Sequence, residues 1–305
     1  MVTSNKEHTL LVEKYRSKTL DEYVGNENIK ATISKYVSQN DIQNLIFYGP
    51  AGTGKTTLAK LIVNNIDCDY LYINASDERG IETIRDKVQG FASSASFKPL
   101  KVVILDEADF LTIQAQASLR NVIETFSRST RFILTCNYIE RIIDPLQSRC
   151  QVLKIVPPSM KEVAAHIAGI LDKERVEWTK ETLGPIVKQY YPDIRKILGT
   201  AQLSTIDNKL VLDNSILVTN NYVEQVVVEL KASKNWKTIR QIIADSNIND
   251  YDELYKALYN RASEYSSGKE GLVTIILEEY QYHANFRIDK EINIMACIAK
   301  IIELL

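Results

Sequence analysis

The sequence is poor in the residues that build metal centres and disulfides. Its 305 residues include four cysteines, none in C-x-x-C spacing, and three histidines that lie far apart. The usual zinc patterns are therefore excluded, and scattered thiols are typical of a reducing, intracellular compartment. The sequence also lacks any run of about 18 apolar residues, and residues 1–8 contain no apolar segment. Neither a membrane span nor a signal peptide is expected.

A strong charge of either sign is absent too. The formal net charge is −2, and the composition is that of an ordinary globular protein, with 45% hydrophobic and 25% charged residues. This balance does not exclude a nucleic-acid partner, because basic residues can gather on one face of a protein that is neutral overall. The chain is long enough for two or three domains.

Short apolar runs alternate with amphipathic runs between about residues 44 and 155. The apolar runs predict five strands: Leu45–Tyr48, Tyr70–Ile73, Val102–Leu105, Phe132–Cys136 and Val152–Ile155. The intervening runs predict three helices: Thr56–Asn65, Ile81–Ala92 and Ile113–Phe126. Such alternation is typical of βαβ units, which build a parallel sheet covered on both faces. Ligands of such sheets bind at the carboxyl ends of the strands.

Pro157-Pro158 ends this alternation and predicts a domain boundary. Helical periodicity follows, and it predicts eight helices: Met160–Asp172, Lys180–Tyr190, Asp193–Leu203, Val223–Ala232, Trp236–Ser246, Tyr251–Tyr265, Leu272–Tyr282 and Glu291–Leu305. The segment 206–219 is ambiguous between a linker and a short irregular piece. The last block contains no motif for chemistry and has the character of a packing or assembly domain.

The segment Gly49–Thr56 matches the pattern G-x-x-x-x-G-K-[ST] at every fixed position, between a predicted strand and a predicted helix. Glycines let the backbone aim its N–H groups at phosphate oxygens, and the helix N-terminus adds a positive dipole. Lys55 can reach the β- and γ-phosphates, and the Thr56 hydroxyl can ligate Mg²⁺. The residues expected to contact the nucleotide here are Gly49, Pro50, Ala51, Gly52, Thr53, Gly54, Lys55, Thr56 and Thr57.

Polar residues also follow two other predicted strands. Asp106 ends one strand and is placed to hold Mg²⁺ through its water shell, and Glu107 can polarise an attacking water as a general base. Asn137 follows the strand Phe132–Cys136 and would lie between the glycine loop and the acids, where it could orient water or contact the γ-phosphate. The alternatives are two acids in an ordinary loop and an asparagine that caps a strand end.

Two arginines lie outside these motifs. Arg149, in Ser148-Arg149-Cys150, could serve the site of a neighbouring subunit as an arginine finger, which stabilises charge during phosphoryl transfer. Arg195 is near the start of a helix beyond the predicted sheet and could respond to a bound nucleotide. From the sequence alone, a surface arginine is the alternative for both.

Two further groups of polar or charged residues lie on or beside predicted helices. One predicted helix carries polar residues at i, i+4 and i+8: Gln116, Arg120 and Glu124. Spacing alone favours a solvated stripe there. Cations lie in or beside the helix Ile81–Ala92: Arg79, Arg85 and Lys87. They could follow nucleic-acid phosphates, although acids among them make a mixed, solvated face a serious alternative.

Four further segments extend the pattern over nearly the whole chain. They are Glu13–Arg16 with Leu20–Glu22 and Val24-Gly25, then Asn74–Ile81, Asp144–Cys150 and Glu279–Tyr282. With the nucleotide motifs, they resemble the small ATPase subunits of sliding-clamp loaders, as in replication factor C of archaea and eukaryotes and in the T-even-phage loader. The Ser148-Arg149-Cys150 segment is the most specific part of this resemblance, because many NTPases share the glycine loop.

The resemblance implies an α/β AAA+ P-loop NTPase core with a parallel sheet (1–156), a small helical lid domain (157–220) and an all-α collar domain (221–305). It implies an ATP hydrolase, stimulated by DNA and by the clamp, that uses ATP and Mg²⁺. Its expected activity is to open a ring-shaped sliding clamp and load it onto primer–template DNA for replication. The implied partners are other loader subunits in a five-membered ring, the clamp and this DNA, with no membrane. The implied location is intracellular: the cytoplasm or nucleoid of a prokaryotic host, or a eukaryotic nucleus.

The resemblance also implies roles for nucleotide-site residues. Arg149 is expected to act in trans, and Asn137 and Arg195 resemble the first and second sensors. The residues expected around the adenine are Tyr15, Arg16 and Val24. Asn74 is expected to hold the glutamate in check until DNA binds.

Other implied roles concern partners. Gln116 resembles a glutamine that couples neighbouring subunits, with Arg120 and Glu124 near that interface. The residues expected to hold duplex DNA are Arg79, Arg85 and Lys87. Phe91 and Phe97 resemble a segment that grips the clamp, although buried phenylalanines would give the same pattern.

Two other functions stay open at this point. One is a scaffold subunit that binds nucleotide without hydrolysis, which the presence of Glu107 and Arg149 disfavours. The other is a different AAA+ DNA motor, such as a branch-migration helicase. The Ser-Arg-Cys segment and the collar-like C-terminus disfavour that function.

Overall fold

The computed structural model describes residues 10–212, 214–246, 251–284 and 286–305, with the backbone alone for 214–221. Contacts divide the chain into two compact units, Met1–Leu210 and Val211–Leu305. The finer division into domains at residues 157 and 221 stays a prediction. Among the described residues, none of the helices combines the length and apolar character that a membrane span requires.

A five-stranded parallel sheet forms the centre of the first unit, and all five predicted strands are confirmed. They are β1 Leu45–Tyr48, β2 Cys68–Asn74, β3 Leu100–Asp106, β4 Thr130–Cys136 and β5 Gln151–Lys154. The strand order is β2-β3-β4-β1-β5, with every neighbouring pair parallel. Because β4 lies between β1 and β3, the residues that follow these three strands meet at one edge of the sheet.

The sheet is covered on both faces, as the alternation predicts. Helices of the first unit are α1 Leu11–Lys14, α2 Glu27–Gln39, α3 Lys55–Asn65, α4 Gln89–Ser93, α5 Ile113–Thr125, α6 Asp144–Gln147, α7 Met160–Lys173, α8 Lys180–Tyr190 and α9 Ile194–Leu203. Successive strand residues point to opposite faces. Accordingly, Phe47 belongs to the core that contains Leu58 of α3, and Ile46 to the core that contains Leu119 of α5. Full burial of each such side chain contributes roughly 1.5–3 kcal/mol.

The prediction of one α-helix over Ile81–Ala92 is only partly right. Thr83–Val88 is π-helical, and α4 continues it. The two helix types bury similar apolar positions over so short a segment, so the spacing of apolar residues does not distinguish them. Two short 3₁₀ helices, Ala108–Phe110 and Ile139–Arg141, follow β3 and β4.

The ambiguous segment 206–219 contains a tight hairpin and the start of a helix. Strands β6 Thr205–Ile206 and β7 Lys209–Leu210 pair in antiparallel fashion. Between them, Asp207 and Asn208 have φ of 49° and 59°, the left-handed values that a two-residue type I′ turn needs.

The second unit is helical, as predicted. Its helices are α10 Asn214–Ala232, α11 Trp236–Asp245, α12 Asp252–Asn260, α13 Ala262–Tyr265, α14 Glu270–Ala284 and α15 Lys290–Leu304. The prediction of one helix over Tyr251–Tyr265 is wrong, because the helix is interrupted at Arg261. The Arg261 guanidinium forms ion pairs with Glu224 and Glu264, which anchor the interruption to α10 and α13.

A buried lysine supports the end of α4. Lys101 of β3 is only 5% exposed, and its Nζ donates to the carbonyl oxygens of Phe91 and Ala92, at 3.0 Å each, and of Ser94. Lys101→Met leaves these carbonyls without their charged donor. We expect the free energy of unfolding to fall by about 2 kcal/mol, measured as a shift of the urea midpoint.

Lys98→Met is the matched control. Lys98 is exposed and contacts Asp67 at 3.3 Å, so its replacement is expected to change stability by less than about 0.5 kcal/mol. Equal losses in the two variants would contradict a structural role of the Lys101 ammonium.

Candidate nucleotide-binding site

The glycine loop follows the carboxyl end of β1 and requires glycine at three of its positions, Gly49, Gly52 and Gly54. Gly52 and Gly54 have φ of 73° and 86°, in the left-handed region that glycine adopts without penalty. A Cβ atom on Gly54 would lie 2.8 Å from Cε2 of the Tyr23 ring. The Tyr23 hydroxyl donates to the Thr53 carbonyl at 3.3 Å, and burial raises the pKa of Tyr23 to about 12. Tyr23 therefore packs against the glycine loop and donates a hydrogen bond to it from a neutral hydroxyl group.

The Lys55 ammonium is buried and held at the mouth of the loop. Its Nζ donates to the carbonyls of Gly49 at 2.8 Å and Pro50 at 2.7 Å, and to Oδ1 of Asn137 at 2.8 Å. Burial lowers the pKa of Lys55, while nearby carboxylates, among them Asp109 and Asp106, oppose this shift. The position expected for Asn137, between loop and acids, is thus the observed one.

Three hydroxyl groups converge on the carboxylate of Asp106. Its Oδ1 accepts from Thr56 Oγ1 at 2.7 Å and from Thr135 Oγ1, and its Oδ2 accepts from the Tyr72 hydroxyl at 2.8 Å. Burial, together with the hydrogen bond to Asp106, raises the pKa of Tyr72, so the phenol keeps its proton at neutral pH.

The oxygen donors of Thr56 and Asp106 are those that Mg²⁺ prefers. Within the described residues, no group of three or more His, Cys, Asp or Glu residues forms a metal cage. Mg²⁺ is usually bound by one or two protein oxygens together with substrate phosphates and water, and Thr56 and Asp106 supply such oxygens. The residues present therefore fit the ion.

Glu107 adopts a conformation that is rare outside glycine. Its φ and ψ are 55° and 42°, and its N–H donates to Thr135 Oγ1 at 3.1 Å. Thr135 thus contacts both acids of the site. Nearby, buried Asp109 accepts from the backbone N–H groups of Asn137 and Tyr138, at 3.3 and 3.4 Å, and orients the segment that carries Asn137.

One pocket of the first unit brings most of the predicted nucleotide residues together. Among those lining it are Tyr15, Arg16, Val24, Lys55, Thr56, Asp106, Glu107, Asn137 and Arg195. Gly49 and Pro50 contribute through the carbonyls that hold Lys55. Further residues that the sequence does not predict also line the pocket, including Val12, Tyr23, Thr135, Cys136, His166, Ile194 and Leu198. Only Tyr23 has a sequence feature near it, since its ring contacts Gly25 and Gly54. The other residues have no local signal and come together only through the fold.

The far side of the pocket joins the N-terminal segment to α7 and α9. The Tyr15 hydroxyl donates to Glu174 at 2.6 Å, and the N–H of Leu11 donates to Gln202 at 2.9 Å. Hydrogen bonds from Lys14 and Tyr15 lower the pKa of Glu174. Burial lowers the pKa of His166 in α7. At the end of β4, next to Asn137, burial raises the pKa of Cys136 to about 12.

Arg149 does not line the pocket of its own chain. Its carbonyl accepts from Asn44, the residue before β1, whereas the glycine loop follows β1. Its guanidinium donates to Glu124 through Nε at 2.6 Å and to the Pro145 carbonyl through Nη1 at 2.6 Å. The backbone of Arg149 thus lies at the amino end of β1, and its guanidinium pairs with a partly exposed acid of its own chain.

Gln116 is buried, so the interpretation as a solvated stripe is wrong at this position. Its amide donates to the carbonyl of Arg141 at 2.9 Å and accepts from the N–H of Ile143 at 2.9 Å. These bonds attach α5 to the segment before Arg149. Arg120 lies one turn on and donates to Asn121 at 3.0 Å.

The residues predicted to contact partners lie outside the pocket. Arg79, Arg85 and Lys87 are exposed, and Lys87 pairs with Glu78 at 2.6 Å. Oδ1 of Asn74 accepts from the N–H and hydroxyl of Ser76, so its expected control of Glu107 stays a prediction. Phe97 is fully exposed, whereas Phe91 is partly buried against the core.

The comparisons with known proteins agree with this geometry. Residues 45–158 match the ATPase family associated with various cellular activities (AAA). The replication factor C small subunit of Sulfurisphaera tokodaii is 32% identical over 316 residues, which covers 98% of this chain and 96% of that protein. That of Haloarcula marismortui is 42% identical over 211 residues, or 67% of this chain and 65% of that protein.

Solved structures resemble the fold as well. A mutant form of Thermotoga maritima RuvB has a TM-score of 0.54 at 20% identity, and the match covers 69% of this chain and 74% of that one. The T. maritima RuvB Holliday junction branch migration motor has a TM-score of 0.51 at 20% identity, over 68% and 72%. At this identity the likeness shows the fold alone.

Fold, loop and acids together define an AAA-family ATPase. Within that class, the chain belongs to the replication factor C small subunits, with similarity along almost its whole length. It is accordingly an ATPase subunit of the clamp-loader type, and the branch-migration alternative is the less supported one.

Proposed function

We propose that this chain hydrolyses ATP with Mg²⁺ at a site that a neighbouring subunit completes, and that DNA and a sliding clamp stimulate the reaction. In the proposed cycle, ATP binding between subunits of a five-membered ring opens the clamp. Primer–template DNA then aligns the catalytic groups, and hydrolysis releases the closed clamp on DNA.

The separation between Arg149 and the pocket of its own chain carries this proposal. At about 3.3 Å per residue, the backbone from Asn44 to Gly49 spans roughly 17 Å. The pocket contains Lys55, two acids and Arg195, whereas Arg149 does not line it and contacts Glu124 instead. An arginine in this position is available to the pocket of another subunit.

The chain's own residues account for the steps of hydrolysis. Lys55 would exchange its loop carbonyls for phosphate oxygens, and Glu107 would accept a proton from the attacking water. Asn137 would position that water or the γ-phosphate. Mg²⁺, held by Thr56 and Asp106 together with the phosphates, would supply positive charge at the phosphate oxygens.

The exposed cations support the proposed contact with DNA. Arg79 and Arg85 are exposed, and Lys87 forms an ion pair with the surface residue Glu78. All three cations can therefore bind DNA phosphates in place of water. Binding through phosphates is independent of sequence and falls steeply with salt. Exposed Phe97 supports the proposed contact with the clamp, since a fully exposed phenylalanine gains by burial against a partner.

Steady-state ATPase of the assembled loader tests the proposal. With cognate clamp and primed DNA together, we expect turnover to rise by about tenfold or more, which corresponds to about 1.4 kcal/mol of the activation barrier. Clamp alone and unprimed DNA serve as controls. A turnover that is insensitive to clamp and primed DNA would refute the stimulated cycle. Retained nucleotide without phosphate release would instead indicate a scaffold subunit.

A further inference from the structure

Tyr72 forms a hydrogen bond with Asp106, although it belongs to none of the nucleotide-binding motifs. Thr56 and Thr135 both donate to Oδ1 of Asp106, whereas the Tyr72 hydroxyl donates to Oδ2 at 2.8 Å. Both carboxylate oxygens are thus held by hydroxyl donors, which come from α3, β4 and β2. Rotation of the carboxylate would break at least one of these bonds.

The Tyr72 ring is itself held in place. Tyr72 belongs to β2, at the edge of the sheet, where it pairs with Ile104 of β3. The Nζ atom of Lys60, on the helix that follows the glycine loop, lies 4.5 Å from the ring centroid. A lysine at this distance is attracted to the face of an aromatic ring. The Tyr72 side chain therefore connects α3, through Lys60, to β3, through Asp106.

Core packing does not explain this arrangement. The Tyr72 side chain is 37% exposed, so its contribution to the hydrophobic core is small. Its directed contact is the hydrogen bond from its hydroxyl group to a carboxylate. Hydrogen bonds of this kind, made to a charged acceptor, are shorter and stronger than those between neutral groups.

We propose that Tyr72 is a positioning residue, which orients the Asp106 carboxylate for Mg²⁺ and thereby sets the Mg²⁺ concentration that the ATPase requires. The inference rests on the proposed role of Asp106. Residues that orient a metal ligand through hydrogen bonds typically change metal affinity or activity by about 10- to 100-fold when they are replaced. Tyr72→Phe removes the hydroxyl and leaves the ring.

Tyr70 provides a matched control on the same strand. It lies two residues before Tyr72, on the same face of β2, and is 50% exposed. It pairs with Val102, four residues before Asp106, so its hydroxyl is remote from the site. A general effect of losing a tyrosine hydroxyl from β2 would appear in both Tyr70→Phe and Tyr72→Phe.

The test measures Mg²⁺ dependence in two ways: by ATPase, and by fluorescence anisotropy of a fluorescent ATP analogue. For Tyr72→Phe we expect the half-saturating Mg²⁺ concentration to rise about tenfold in both assays. Analogue binding in EDTA should be unchanged, and Tyr70→Phe should match the wild type throughout. Lys60→Met, which uncovers the ring, should shift the Mg²⁺ midpoint in the same direction but less.

Two results would overturn the inference: an unchanged Mg²⁺ midpoint in Tyr72→Phe, or an equal shift in Tyr70→Phe. Failure of the proposed function looks different. In that case the wild type would bind the analogue with Mg²⁺ but release no phosphate. The anisotropy assay could still compare the two variants, because it does not depend on turnover.

Discussion

Mixing Lys55→Ala protein with Arg149→Ala protein is expected to restore part of the ATPase activity that each variant lacks by itself. Arginine fingers contribute about 10³–10⁵ in turnover, and loss of one preorganised donor costs about 10²–10³. Each single variant should therefore be nearly inactive. If each site uses Lys55 from one copy and Arg149 from the next, about a quarter of the interfaces in an equal, random mixture retain both.

The intrachain contact of Arg149 does not oppose this result. Glu124, its partner, is 52% exposed, and exposed ion pairs contribute roughly 0–1 kcal/mol. The guanidinium can therefore move from Glu124 to the phosphates of a neighbouring site at little cost. Arg128→Ala, at an exposed position just after α5, is the control and should keep wild-type turnover.

The measurement is phosphate release as a function of mixing ratio. Activity should pass through a maximum near equal proportions. Mixtures that are never more active than the two separate proteins would contradict a finger that acts in trans. If Arg149→Ala does not form oligomers in size-exclusion chromatography, Arg149→Lys replaces it. Lysine keeps the positive charge but lacks the planar guanidinium group.

Glu107→Gln is expected to abolish turnover while nucleotide binding persists. The amide has nearly the shape of the carboxylate but cannot accept a proton from water, and general-base catalysis contributes about 10²–10⁴ in rate. The backbone of Glu107 is held by Thr135 through its N–H, which the substitution leaves in place. The variant should therefore keep the geometry of the pocket.

Single-turnover phosphate release and ATP-analogue binding, measured on the same preparation, test this prediction. Release should slow by two or more orders of magnitude, while the dissociation constant changes by less than about threefold. Glu140→Gln, on the exposed 3₁₀ turn after β4, is the control. A parallel loss of binding and turnover would mean that Glu107 contributes to nucleotide binding rather than to proton transfer.

Local patterns were sufficient to predict the elements of the sheet and the loop. Leu45–Tyr48 and the other strands are short apolar runs bounded by polar residues, and helix α8 has the predicted bounds, Lys180–Tyr190. Such patterns are reliable because burial of a strand or a helix face imposes a period on the sequence itself. The interruption at Arg261 was missed because distant Glu224 helps to hold it.

Burial of single polar residues could not be predicted in the same way. Gln116 lies on a helix with Arg120 and Glu124, and spacing alone places all three on one face. Gln116 is buried because backbone groups of Arg141 and Ile143 satisfy its amide, and these come from another part of the chain. Long-range partners of this kind have no signature in the local sequence.

The sequence by itself determined that a phosphate-binding loop, an acid pair and an arginine segment exist in one chain. Each depends on neighbouring residues whose chemistry and spacing are visible directly. Only the tertiary structure decided how they combine. The strand order brings Asn137 between Lys55 and the acids, and it places Tyr72 on Asp106 and Arg149 away from the pocket. The physical reason is that pairing of parallel strands joins residues far apart in sequence, so a site at the edge of a sheet is formed by the topology.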